Sequence, residues 1–300
     1  MKDYFINKVL ATTVVGSYPP IKSGGFRNIF DPMHSAVAIA VADQIKAGID
    51  IISDGQVRGD MIQIFTRKLP GIKENEVIGK VQPAARPITV NDTKYAITKA
   101  PKVKGIITGP STLAHGLHIS TPMYRNKEEL ALDLAIAVVN EAQALEKAGV
   151  TLLQIDEPIF STGIADLSIG KQAIETITKS LHIPTCMHVC GDLSNVIDDI
   201  LKVPVNVLDF EFSKNPSNIS LFSSRDLAGR MVGFGCVDTS TDSVENVTEI
   251  KKRIERGIEV FGPRILLLDP DCGMRMISRE AAFAKLKNMV EAAREVRLSL

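Results

Sequence analysis

Short runs rich in Val, Ile and Leu alternate along the chain with longer stretches in which apolar residues recur every three or four positions. The apolar runs lie at 12–17, 50–55, 104–110, 152–158, 184–190, 205–212, 230–238 and 264–273. Helical spacing follows near 33–48, 60–68, 127–147, 170–181, 192–201, 217–227, 244–260 and 278–297. The strand candidates are apolar throughout, which predicts parallel strands buried on both faces. Eight such strand–helix units predict a single (β/α)₈ TIM barrel spanning 1–300 as one catalytic domain. A doubly wound open sheet is the competing architecture, but its dinucleotide-binding form needs a Gly-rich fingerprint after the first strand, and none is there. One interval breaks the rhythm: KVQPAARPITV and KYAITKAPKVK, flanking Asn91-Asp92, predict a β-hairpin excursion near residues 71–103.

Composition narrows the function. Hydrophobic residues are 45% of the chain, enough for a packed core, and 35 basic residues balance 35 acidic ones. A zero net charge argues against a large nucleic-acid footprint. The opening segment lacks an apolar signal region, and no run of about twenty apolar residues follows, so a cytoplasmic protein without membrane association is expected. Four cysteines do not make a disulfide framework; in a reducing compartment they more often serve as ligands or nucleophiles.

In a barrel the active site gathers at the C-terminal ends of the strands. Gly16-Ser17, Gln56, Asp156, His188, Cys190, Glu211 and Cys272 all fall at such ends. His188 and Cys190 are two apart on one strand and share a face, with Cys186 about 7 Å lower on that face. Glu211 ends the next strand and Cys272 the last. Two thiolates, an imidazole and a carboxylate suit Zn²⁺. Cys186 and Cys236 are read as inert buried residues, and His34 and His182 as ordinary hydrogen-bonded histidines. Ligands drawn from separate strand ends, rather than from a finger-like turn, suggest a catalytic site.

Several segments together carry a family resemblance: TTVVGSYP near the start, SDGQVRGDM at 53–61, GPST at 109–112, QIDEP at 154–158, HVC at 188–190, DFEFS around Glu211, GFGCVD at 233–238 and DPDCGM at 269–274. In these the chain resembles the catalytic C-terminal domain of cobalamin-independent methionine synthase, most closely its short archaeal-type forms. The resemblance implies one Zn²⁺ on His188, Cys190, Glu211 and Cys272, and methyl transfer to the zinc-held thiolate of homocysteine. It also implies that Gly16 and Ser17 meet the substrate carboxylate and Asp156 its ammonium, while Gln56 stands where the family carries a glutamate. Glu211, the hardest ligand, is expected to give way to the incoming sulfur.

Three departures shape the expected methyl donor. The family's additional N-terminal barrel, its pterin-contacting tryptophan and its acid histidine have no counterpart here; VDTST at 237–241 offers only Asp238, Thr239 and Ser240. Without that acid, a methylated corrinoid, carried by a partner protein, is the expected donor. The alternatives are a methyl pterin donor, or alkyl transfer to another thiol such as coenzyme M. A zinc hydrolase, a metal-free decarboxylase and a non-catalytic barrel with a closed structural zinc are the remaining readings.

Overall fold

A computed structural model describes residues 6–21 and 31–300 of the chain. Its main sheet contains β1 (Ala11–Thr12), β4 (Lys104–Thr108), β6 (Leu152–Asp156), β7 (Thr185–Val189), β8 (Val207–Glu211), β9 (Met231–Val237) and β10 (Leu266–Pro270). These seven strands lie in the order β1-β10-β9-β8-β7-β6-β4, every neighbouring pair parallel. Single parallel bridges, Thr13 to Ile51 and Ile52 to Val103, put residues 51–52 between the two edges of the sheet. The architecture is α/β and TIM-barrel-like.

Helices run between the strands: α1 (His34–Ala47), α2 (Met61–Thr66), α4 (Pro110–His115), α5 (Lys127–Ala148), α6 (Leu167–Thr178), α7 (Ile197–Ile200), α8 (Val247–Phe261) and α9 (Arg279–Leu298). Their starts follow from local chemistry. The Asn126 side chain accepts from Glu129 N at the start of α5, and Asn246 and Glu249 form a reciprocal capping box on α8. Such caps each contribute about 1 kcal/mol. α5 stops at Gly149, whose φ of 101° is left-handed.

Successive side chains on a strand point to opposite faces, and here the two faces differ sharply. Leu153, Ile155, Met187, Val189, Leu208 and Phe210 pack outward in the main core, against the helices. Leu152, Cys186, Val207, Met231 and Leu267 point inward and form a separate apolar cluster with Ala11 and Ile51. That inner cluster is the floor on which the polar residues stand.

The excursion departs from its expected form. Residues around Asn91-Asp92 fold as α3 (Val90–Ile97), not as a hairpin. Val90, Thr93 and Ala96 are its buried residues, spaced by three as on a helix face. Glu141 of α5 fixes its start, accepting from Ile88 N at 2.6 Å, Thr89 N at 2.7 Å and Thr89 Oγ1 at 2.7 Å. The short antiparallel pair lies earlier, as β2 (Ile72–Lys73) and β3 (Glu76–Val77), extended by β5 (His118–Ile119). The helix expected near 192–201 shrinks to α7, and that near 217–227 becomes a 3₁₀ turn at Pro216–Phe222. Among the described residues no helix is long and apolar enough to cross a membrane.

Candidate active site

Above the apolar floor the inward positions turn polar. Two residues further along each strand stand Gln154, His188, Asp209, Gly233 and Asp269; two further still come Asp156, Cys190, Glu211 and Gly235. Each step lifts a side chain by about 7 Å toward the C-terminal end of the sheet.

His188, Cys190 and Cys272 converge so that their ligand atoms all lie within 4.8 Å of one another. The sequence separates Cys190 and Cys272 by most of the C-terminal half; the curl of the sheet brings them together. The His188 Nδ1 lies 3.2 Å from Asp209 Oδ1, and both ring nitrogens are buried without a well-formed hydrogen bond. Burial pulls the His188 pKa down, but the Asp209 carboxylate outweighs it and holds the imidazole well above its ordinary value. The two thiols act as a pair. Hydrogen bonding from Cys190 draws the Cys272 pKa well below the usual thiol value, whereas Cys190, as the donor and through burial, is pushed well above it. Two sulfurs and an unpartnered imidazole nitrogen are a soft donor set that fits Zn²⁺.

Glu211 stands outside this three-residue group. It is nearly buried at the end of β8, and its carboxylate accepts from the Asn215 side chain. The loop after it is pinned by Asp271, which accepts from Phe212 N at 3.1 Å, Ser213 N at 2.9 Å and Lys214 N at 2.7 Å.

A cavity of about 300 Å³ adjoins the thiols and imidazole, with Ser17, Gln56 and Asp156 on its walls. Asp156 is 5% exposed, and burial raises its carboxyl from 3.8 to about 6. It accepts at 2.6 Å from Gln154 Nε2, which also donates to Val15 O at 2.7 Å. Gln154 Oε1 in turn accepts from the buried Lys104 Nζ at 2.6 Å. Glu157, next in sequence, faces away: it accepts from Ser111 N at 2.9 Å and Thr112 N at 2.8 Å, anchoring the start of α4.

Gly16 and Gln56 are pressed together, since a Cβ on Gly16 would meet Ile106 Cδ1 at 2.5 Å and Gln56 Oε1 at 2.9 Å. Gln56 has a left-handed φ of 43°, unusual for a residue with a side chain. Arg275 Nη1 donates to its carbonyl at 3.2 Å, and its own Nε2 is buried without a partner. The Ser17 carbonyl accepts from Met274 N at 2.8 Å, tying the first strand's loop to the last's.

Lys104, Gln154, Asp209 and Asp269 were not singled out by the sequence reading. The signal available for them is a polar residue at an inward position of an otherwise apolar strand.

The family described as the cobalamin-independent synthase catalytic domain matches residues 10–295. The chain is 43% identical to a methionine synthase of Methanothermobacter marburgensis over 308 residues, covering 95% of this chain and 100% of that protein. It is 42% identical to a methionine synthase of Methanocaldococcus jannaschii, covering 96% of this chain and 100% of that one. In fold it is similar to a B12-independent methionine synthase of Shewanella sp. W3-18-1, solved with selenomethionine, at a TM-score of 0.87 and 23% identity over 98% of this chain and 100% of the other. The family's description as cobalamin-independent stands against the methylcorrinoid donor and the corrinoid-protein partner expected from the sequence; an absent acid histidine is weaker ground than membership of the family. The chain belongs to the cobalamin-independent methionine synthase family and is an enzyme, a methyltransferase.

Proposed function

We propose that this chain makes methionine by methylating the thiol of homocysteine at a zinc site held by His188, Cys190 and Cys272, with Glu211 as the fourth protein ligand. The observation that carries the reading is the convergence of two thiols and an unpartnered imidazole nitrogen beside a cavity walled by Ser17, Gln56 and Asp156. Zn²⁺, when bound, favours the deprotonated form of a thiol near neutral pH and holds the sulfur in place as a nucleophile.

The chain's own residues supply the rest. Asp156, ionised above about pH 6, pairs with the substrate ammonium, and Gln154 aims its carboxylate. Gly16 and Ser17 meet the amino-acid carboxylate, Ser17 from the cavity wall, and the unpartnered Gln56 Nε2 donates to the same end of the substrate. The sulfur gains the S–CH₃ bond, the methyl–donor bond breaks with its electron pair staying on the donor, and the thiol proton released to solvent is matched by one that the leaving nitrogen of a methyl pterin takes up. An ammonium-binding carboxylate favours homocysteine over coenzyme M, which carries no ammonium. In the same reading residues 51–52 are the eighth strand of a closed (β/α)₈ barrel, the whole chain is one catalytic domain, and the enzyme works in the cytoplasm.

The test is methionine formation by zinc-loaded protein from homocysteine, with methyltetrahydrofolate, methyltetrahydromethanopterin and methylcobalamin compared as donors. Methionine from either methyl pterin is the result the family description favours. Turnover confined to methylcobalamin would keep the acceptor chemistry and reverse the donor. Transfer to coenzyme M but not to homocysteine, or no methionine from any donor, would overturn the reading.

A further inference from the structure

Beneath the three converging side chains lies a second tier of buried acids that the reaction described above does not use. Asp209 of β8 is the register partner of His188 of β7, and the two side chains are 1% and 3% exposed. Asp269 lies on β10, two strands from β8 in the sheet. Two strand spacings are about 9.5 Å, too far for two ordinary carboxyl side chains separated by a third strand's side chain. The intervening β9 removes that obstacle. It places Gly233 opposite Asp209 and Gly235 opposite Asp269. A Cβ on Gly233 would stand 2.6 Å from both Cβ and Cγ of Asp209. Over this bare ribbon the two buried carboxyl groups approach each other, with His188 on the far side of Asp209.

We propose that Asp209 is a positioning residue for the metal site: it accepts the Nδ1–H of His188 and so fixes the imidazole in the tautomer whose Nε2 is free to face a metal, while Asp269, reaching across Gly233, steadies Asp209 from behind. The inference rests on the zinc reading for its purpose, but its geometry does not. A histidine ligand presents one nitrogen to the metal, and the hydrogen bond at the other nitrogen decides which one. Here Nδ1 lies 3.2 Å from Asp209 Oδ1, which leaves Nε2 as the nitrogen turned away from that carboxylate. An asparagine at 209 could turn its amide N–H toward Nδ1, forcing the proton onto Nε2 and blocking the ligand lone pair.

Two measurements test this. The first is ¹⁵N NMR of histidine-labelled, metal-free protein, titrated to the alkaline pH at which the His188 imidazole is neutral, which reports its protonated nitrogen. Wild type should carry the proton on Nδ1, and Asp209→Asn should move it to Nε2. The second is zinc affinity by chelator competition, which should fall about 10–100-fold in Asp209→Asn. Asp269→Asn, whose amide can still donate to Asp209, should keep the tautomer and bind zinc within about threefold of wild type. A merely structural role would lower thermal stability while leaving the tautomer and zinc affinity alone. The same protonated nitrogen in wild type and Asp209→Asn, or unchanged zinc affinity, would overturn the proposal. If Asp209→Asn does not fold, Gly233→Ala displaces the same carboxylate, and unchanged tautomer and affinity there would overturn it equally. A wild-type protein that binds no zinc would sink the zinc reading, while the NMR comparison would still decide this one.

Discussion

The two faces of the same strands obey different rules. On β7 and β8 the outward residues Met187, Val189, Leu208 and Phe210 are apolar and belong to the large core under the helices. The inward residues alternating with them, His188, Asp209 and Glu211, are almost as buried and are polar or charged. Burying apolar area outward stabilises the fold by about 25 cal/mol per Å². Burying a charged tier inward opposes folding unless each group is paired. The contrast separates what holds the protein together from what it does, and substitutions on the two faces should therefore fail in different assays.

The largest expected effect is inward. Cys272→Ser or Cys190→Ser should abolish methyl transfer and weaken zinc binding by at least about a hundredfold, because an alcohol remains protonated where a thiolate is needed. Zinc content after dialysis and thermal melting check this together: metal should be lost with little change in the metal-free melting temperature. Next comes the outward face. Phe210 is fully buried, with its ring centroid 5.5 Å from that of Phe222, and Phe210→Ala should cost about 3–5 kcal/mol in denaturant unfolding. Protein that remains folded should bind zinc as wild type does. Zinc loss in Phe210→Ala at temperatures where it is folded would dissolve the division between the faces.

A third test makes the two faces trade against each other. The Asp156 carboxyl is raised from 3.8 to about 6, with burial as the main cause. Its contribution to stability is therefore fully present below pH 3.8 and is lost as pH rises through about 6. The shift of about two units corresponds to about 3 kcal/mol. Asp156→Asn removes that loss, so it should be more stable than wild type at pH 8 by up to about this amount. The same substitution should raise the KM for homocysteine about 10–100-fold, since it removes a charge-assisted hydrogen bond to the ammonium. In wild type the KM should rise as pH falls below about 6. A variant with unchanged KM would take Asp156 out of the substrate site.

How far the molecule could be read in advance follows the same division. The outward apolar positions announce buried parallel strands, because a run such as LLL at 266–268 or LL at 152–153 has no face suited to water. Strand ends were also legible: Asp156, His188, Cys190 and Cys272 sit where a barrel gathers its polar groups, and all four border one cavity. The inner tier was hidden, since Lys104 with Gln154, or Asp209 with Asp269, meet only once the sheet curls. Gly233 looks like flexibility in a linear chain and is instead the space that an acid pair occupies. Residues 90–97 were misread because prolines at 83, 87 and 101 bracket a helix of only two turns, whose anchor, Glu141, lies far along the chain.

The smallest expected effect concerns Glu211, whose position sharpens the comparison at its most exposed point. Its carboxylate is engaged by Asn215 rather than grouped with His188, Cys190 and Cys272, so it can join a metal only by giving up that hydrogen bond. Two substitutions should then act in opposite directions. Glu211→Gln, losing the charge, should weaken zinc about tenfold while leaving two sulfurs and an imidazole to hold it. Asn215→Ala, releasing the carboxylate, should tighten zinc by about threefold, roughly the worth of one hydrogen bond. X-ray absorption at the zinc edge gives the direct view. Wild type should change from two sulfur ligands to three when homocysteine is added, with the oxygen ligand leaving; Asn215→Ala should need more homocysteine for the same change. If both variants match wild type in affinity and spectrum, Glu211 is an ordinary hydrogen-bonded acid at a strand end and the metal's protein ligands are the three residues that already converge.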